Sequence, residues 1–237
     1  MAGEYGVTIS EPDVSAKRRR GPIVATHLDS LFAESLRRHR SCPTVIALPD
    51  NAPRWELPSD IEVLITAPRG WREAPGRKPI DWPRRLRWIQ TLTAGVDSFP
   101  SWIFDGSIVT SARGVNASAL AEYVMTAVLM QEKQFDRISI RGPADWRDAP
   151  VGSAEGKIIG VAGFGSVGQA IAERALSFAM RVKAFRRGAW DERSDGVEAV
   201  GNLTELFETS DHVALAMPAT PETRGIVNSA VLFSAKP

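Results

Sequence analysis

Three glycines stand with the spacing of a G-x-G-x-x-G turn in the run Gly163-Phe164-Gly165-Ser166-Val167-Gly168. Such a turn holds the pyrophosphate of a dinucleotide, and each glycine has its own reason. The first permits the tight turn, the second lets the backbone come up against the pyrophosphate, and the third lets the following helix pack close to the preceding strand. The phosphates rest on free N–H groups at the helix start, where the macrodipole favours negative charge. Eighteen and nineteen residues beyond Gly168 come Arg186 and Arg187. A site for NAD normally carries Asp or Glu near this distance to hold the ribose hydroxyls. Guanidinium groups instead pair with a 2′-phosphate, which a carboxylate would repel. The nearest acids, Asp191 and Glu192, come after Gly188 and Trp190, too late for the strand tip. These residues favour NADP(H) over NAD(H); the other reading of the two arginines is a solvated basic turn.

Elements of the right kind flank the turn. An apolar run (Ile158, Ile159, Val161, Ala162) precedes it, an amphipathic segment follows, and a second apolar run spans Val182 to Phe185. Strand, turn, helix and strand make one βαβ unit. Earlier in the chain, short apolar runs at residues 23–26, 44–48, 61–66, 86–92 and 107–110 alternate with loops and with a helical pattern over 29–40, where Asp29 or Ser30 is the N-cap. That alternation predicts a parallel α/β sheet. Between the two regions, residues 116 to about 136 are apolar nearly all round, as expected of a helix between two domains. Residues 141–153 read as a loop. The expected class is therefore α/β: a Rossmann-type doubly wound parallel sheet with its interdomain helix over 116–237, a smaller α/β substrate domain over 22–115, and a flexible leader over 1–21.

Composition narrows the function classes. The 237 residues are 43% hydrophobic and 24% charged with a net charge of +1, so no global field draws the chain to nucleic acid or a membrane. Cys42 is the single cysteine, which rules out a disulfide framework or a cysteine-based metal site and suits a reducing cytoplasm. No apolar run approaches the roughly 20 residues of a membrane span, and the N-terminus has no signal core. The run Lys17-Arg18-Arg19-Arg20 reads as a basic tail. The interleaved tryptophans and arginines from Arg69 to Trp88 read as a surface loop and short helix start rather than a single-strand stacking platform.

Five blocks in order carry a resemblance over roughly residues 60–237. They are Trp88-Ile89-Gln90 through Ala94-Gly95-Val96-Asp97; Ala112-Arg113-Gly114-Val115-Asn116 through Ala121-Glu122; the glycine turn; Ser210-Asp211-His212 through Met217-Pro218; and Thr220-Pro221-Glu222-Thr223-Arg224-Gly225. In these the chain resembles the D-isomer-specific 2-hydroxyacid dehydrogenases, in particular the NADPH-linked glyoxylate and hydroxypyruvate reductases. The resemblance implies a flavodoxin-like substrate domain and hydride transfer to the keto carbon of a 2-oxo acid. It implies that the Ala94-Gly95 turn cradles the substrate carboxylate on backbone N–H groups, where a plain strand-to-helix turn is the alternative. Asn116 is implied near nicotinamide and substrate, and its residue type equally suits a helix N-cap. Met217, Pro218 and the turn after them would pass beneath the cofactor, although Thr220 and Thr223 also suit turn and cap positions. Glu122 is expected to be structural. A homodimer pairing through the cofactor domain is the implied assembly.

The resemblance also implies an arginine to clamp carboxylate and ketone, a histidine to donate the proton and an acid to orient it. In the family these fall in segments that would follow Pro237. No catalytic residue is therefore expected in this chain, which reads as C-terminally truncated with its Rossmann sheet incomplete. His27, His39 and His212 do not substitute, His212 being expected as a satisfied structural residue. Two readings follow: a reductase seen incomplete, or a catalytically inactive NADP(H)-binding remnant acting as a sensor or partner.

Overall fold

The structure, a computed structural model, describes residues 20–146, 148–188, 190 and 195–236. The leader up to residue 19, the acids Asp191 and Glu192, and Pro237 lie outside the described residues. The chain divides into two compact units. One runs up to Leu92 and includes Val96–Thr110; the other takes Thr93–Gly95 and everything from Ser111.

The first unit contains β1 (Ile23–Thr26), α1 (Ser30–Arg37), β2 (Thr44–Ala47), β3 (Val63–Thr66), β4 (Trp88–Thr91) and β5 (Ile108–Ser111) in the order β2-β1-β3-β4-β5. The pairs β1–β2, β1–β3 and β3–β4 are parallel. This is the flavodoxin-like order, as the resemblance implied. Asp29 caps α1 by accepting from the Phe32 N–H at 2.8 Å. Val24, Val63 and Ile65 face Phe32 and Leu36 of that helix, while Ile23, Ala25, Leu64 and Ile89 face an aromatic cluster on the other side. Alternation of side chains along each strand produces the two layers.

The aromatic cluster revises the expectation for residues 69–88. No helix starts there, and Trp71 and Trp82 are core residues, 1% and 7% exposed. They pack edge-on, and Trp82 meets Trp102 at 4.9 Å. Their indoles are too large to leave in water when an apolar sheet face lies beside them, each contributing on the order of 1.5–3 kcal/mol on burial.

The second unit contains α2 (Ala117–Lys133), α3 (Phe135–Ile138), β6 (Ile158–Ala162), α4 (Ser166–Ser177), β7 (Arg181–Phe185), β8 (Val197–Ala199), α5 (Leu203–Thr209), β9 (His212–Leu215) and α6 (Ser229–Phe233). Its sheet runs β8-β7-β6-β9, with every pair parallel. Relabelled from the first strand of the unit, that is the 3-2-1-4 order of a dinucleotide fold. Helices cover both faces: Ile159, Val161, Val182 and Ala184 pack with α2 and α4, whereas Ala162 packs with Leu203, Leu206 and Phe207 of α5.

Helix α2 stops at Lys133, short of the expected 136, because Gln134 turns into the left-handed region (φ 47°, ψ 50°). It buries Ala121, Met125, Val128 and Glu132, leaving Leu120, Tyr123 and Met130 exposed. Among the described residues no helix is long and apolar enough to cross a membrane.

Candidate functional site

The order of the second sheet reverses between β6 and β9, and at that edge open α/β sheets take their ligands. The glycine turn connects β6 to α4 here. Gly163 sits at φ +100°, and a Cβ on it would come within 2.8 Å of the backbone of Ala216 and Met217, the residues just beyond β9. Its N–H donates to the Phe185 carbonyl at the end of β7, at 2.8 Å. A Cβ on Gly168 would collide with the Gly163 carbonyl oxygen and press on Val161. Gly165 differs from both: a Cβ there would meet nothing within 4 Å. The first and third glycines are thus required by the protein's own packing, whereas the second faces open space above the start of α4.

Ser166 and Val167 open α4, whose N-cap is Gly165 with no side-chain cap. The first-turn N–H groups of such a helix have no intrahelical acceptor, so they are available to an anion. Phe164 points the other way, 3% exposed, and its ring lies 5.2 Å from Trp190. Gly114, at φ +83° just ahead of α2, comes close to the same helix start: its Cβ would lie 3.1 Å from Ser166 Oγ. The N-termini of α2 and α4 therefore adjoin.

Asn116 occupies the N-cap position of α2 but makes no side-chain cap hydrogen bond. The capping role that its residue type suggested is not realised, and its carboxamide is exposed. Ala94 and Gly95 group with this second unit rather than with the strand they follow. Thr93 Oγ1 donates to the Gly95 carbonyl at 2.7 Å and pins the turn. Ala216 and Met217 leave β9 against Gly163, Pro218 follows them, and Thr223 Oγ1 holds the next turn by donating to the Pro218 carbonyl at 2.6 Å. Arg186 and Arg187 directly follow β7, Arg186 half-buried and Arg187 exposed. Glu222 is held below the usual carboxylate range, chiefly by a hydrogen bond from Thr220 and also by the charge of Arg187.

Two structural groups stand apart from the turn. Glu122 pairs with Arg174 of α4 at 3.4 Å, and the same guanidinium reaches Ser118 Oγ at 2.6 Å, stitching α2 to α4. His212 Nε2 lies 2.8 Å from Glu132 Oε1, so it has the structural partner expected of it. Glu132 itself carries no sequence signal: it is 6% exposed and also takes Lys157 Nζ at 2.8 Å. Burial pushes its carboxyl up, but the hydrogen bonds from Lys157 and His212 outweigh this and hold it below the ordinary value.

Residues 123–237 match the family described as D-isomer specific 2-hydroxyacid dehydrogenase, NAD binding domain. The chain is 28% identical over 191 residues to a glyoxylate reductase of Thermococcus gammatolerans, covering 75% of this chain and 56% of that protein. It is 34% identical over 126 residues to a hydroxypyruvate reductase of Thermotoga maritima, covering 52% and 40%. The chain spans about half the length of the curated relatives it matches. Among solved structures, a D-lactate dehydrogenase from Aquifex aeolicus complexed with NAD and lactic acid superposes with a TM-score of 0.69 at 19% identity, covering 90% of this chain and 66% of that one. At that identity the likeness is one of fold.

Proposed function

We propose that the chain, whose residues 123–237 match the D-isomer specific 2-hydroxyacid dehydrogenase NAD binding domain, is a member of that family, that it binds NADPH, and that it serves hydride transfer to a 2-oxo acid such as glyoxylate or hydroxypyruvate. The observation that carries this is the division of labour among the three glycines. Gly163 and Gly168 are packed by protein, while Gly165 is bare at the point where a pyrophosphate would meet the N–H groups of Ser166, Val167 and Gly168. Phe164 braces the turn from below, and Met217 and Pro218 wall the β9 side. Arg186 and Arg187 supply the charge and the donors for a 2′-phosphate, which favours NADPH over NADH.

Bound nicotinamide contributes the hydride. The protein's share is to place the acid. Backbone N–H groups of the Ala94-Gly95 turn take the carboxylate, and the uncapped carboxamide of Asn116 hydrogen-bonds the same substrate. A cytoplasmic setting fits the single cysteine, and a homodimer fits the exposed apolar face of α2. The test is NADPH oxidation by the purified chain with glyoxylate and hydroxypyruvate. Turnover supports the reductase reading. Saturable NADPH binding without turnover supports the inactive remnant instead, and absence of binding overturns both.

A further inference from the structure

A second set of polar groups gathers where β2, β1 and β3 of the first unit end. The strand order reverses at β1, so this edge is the ligand-binding edge of an open α/β sheet. His27 follows β1, is 7% exposed, and sets Nδ1 3.1 Å from Thr66 Oγ1 at the end of β3. That hydroxyl gives its proton to the Ala67 carbonyl at 3.3 Å and accepts the Trp71 indole N–H at 2.9 Å. Its remaining lone pair takes the Nδ1–H of His27, a tautomer assigned from this network. His27 Nε2 is then a bare acceptor, and it is buried without a partner.

Arg54, in the loop after β2, lies beside Gly70, the residue before the Trp71 whose indole bonds Thr66. Its stem lies across Gly70, a residue at φ +83° whose Cβ would come within 2.9 Å of Arg54 Cγ. Only glycine leaves that space at that backbone angle. The Arg54 side chain is 11% exposed, its Nη1 is buried without a partner, and Asp50, itself 96% exposed, stands 4.0 Å from Nη2. A guanidinium cannot neutralise itself by losing its proton, so a nearly buried one with so distant a counter-ion is out of balance. Burial, with the charge of Arg54 and against that of Asp50, holds His27 down at about 4. The imidazole is therefore neutral at physiological pH.

We propose that this edge binds a small oxyanion together with one proton, Arg54 holding the oxygens while His27 Nε2 faces the proton. A monohydrogen phosphate brings that proton on its own O–H, which donates to Nε2. A carboxylate brings none, so its binding transfers one proton from solvent to Nε2. Asp50 competes for Arg54 in both cases. The inference does not depend on the cofactor reading.

The experiment follows the histidine ring resonances of the full chain, without nucleotide, during titration with inorganic phosphate or malonate, with chloride at equal ionic strength as the control. His27 is assigned as the ring resonance that is missing from a His27→Gln chain. The expected result is a saturable shift with phosphate at neutral pH, or one with malonate that tightens as pH falls and raises the His27 midpoint. The phosphate and malonate arms separate the two sources of oxyanion. Asp50→Asn, at an exposed position that does not endanger the fold, should tighten binding about fivefold by removing one charge 4.0 Å from the guanidinium. A shift that chloride reproduces, or an Asp50→Asn chain with an unchanged midpoint, overturns the proposal.

Discussion

Replacing Gly165 with alanine should separate binding from folding. The added methyl meets no protein atom within 4 Å, and the backbone at φ −92°, ψ −161° is open to any residue. The folding cost is then only the weaker N-cap preference of alanine, below about 1 kcal/mol. At the helix start the same methyl holds a pyrophosphate away from the first-turn N–H groups. Losing two hydrogen bonds to a charged group, at roughly 1.5–3 kcal/mol each, raises the Kd for NADPH by about a hundredfold or more. Gly168→Ala should behave in the opposite sense. Its methyl runs into the Gly163 carbonyl and Val161, an overpacking that costs about 1–3 kcal/mol of stability. Thermal unfolding of both variants beside calorimetric NADPH titration reads the two effects separately. An unchanged NADPH affinity in a well-folded Gly165→Ala chain would refute the placement of the pyrophosphate.

Glu132→Gln removes the charge that Lys157 and His212 share, and should cost about 2–3 kcal/mol in chemical denaturation. The folded carboxyl lies below the ordinary glutamate value of 4.5, so its contribution is full above that pH and is lost as pH falls through the folded pKa. The variant's deficit should accordingly shrink in acid; a pH-independent deficit contradicts the network. Arg186→Asp should weaken NADPH and improve NADH, measured as the ratio of the two Kd values; an unchanged ratio removes this arginine from the 2′-phosphate site. Asn116→Ala should leave the melting temperature within about 2 °C, because no cap bond is lost. It should raise KM for the oxo acid in the turnover assay, and an unaltered KM argues against substrate contact.

The parts of the fold legible in the sequence are those whose causes are local. The strand before Gly163, the helix opening at Ser166 and the strand ending at Phe185 each follow from a run of side chains and a glycine requirement within a few residues. Helix α5 and strand β8 are too short for periodicity, although Asn202 and Glu205 form a readable cap. Asn202 Oδ1 accepts from the Glu205 N–H, and Glu205 reaches back to the Gly201 N–H, both at 2.9 Å. The burial of Trp71 and Trp82 is not legible in the sequence, because the arginines around them hide which face of the loop meets the sheet. Glu132 was invisible for a different reason. Its partner His212 lies 80 residues away, and a charge on an otherwise apolar helix has no local mark that it is buried. The unpartnered nitrogens of His27 and Arg54 likewise exist only once three strand ends are brought together.

The most direct test of the account is a calorimetric titration of the chain with NADPH and, separately, NADH. Saturable binding of both, tighter for NADPH, is the predicted result. No heat with either nucleotide would contradict a dinucleotide site at the Gly163–Gly168 turn.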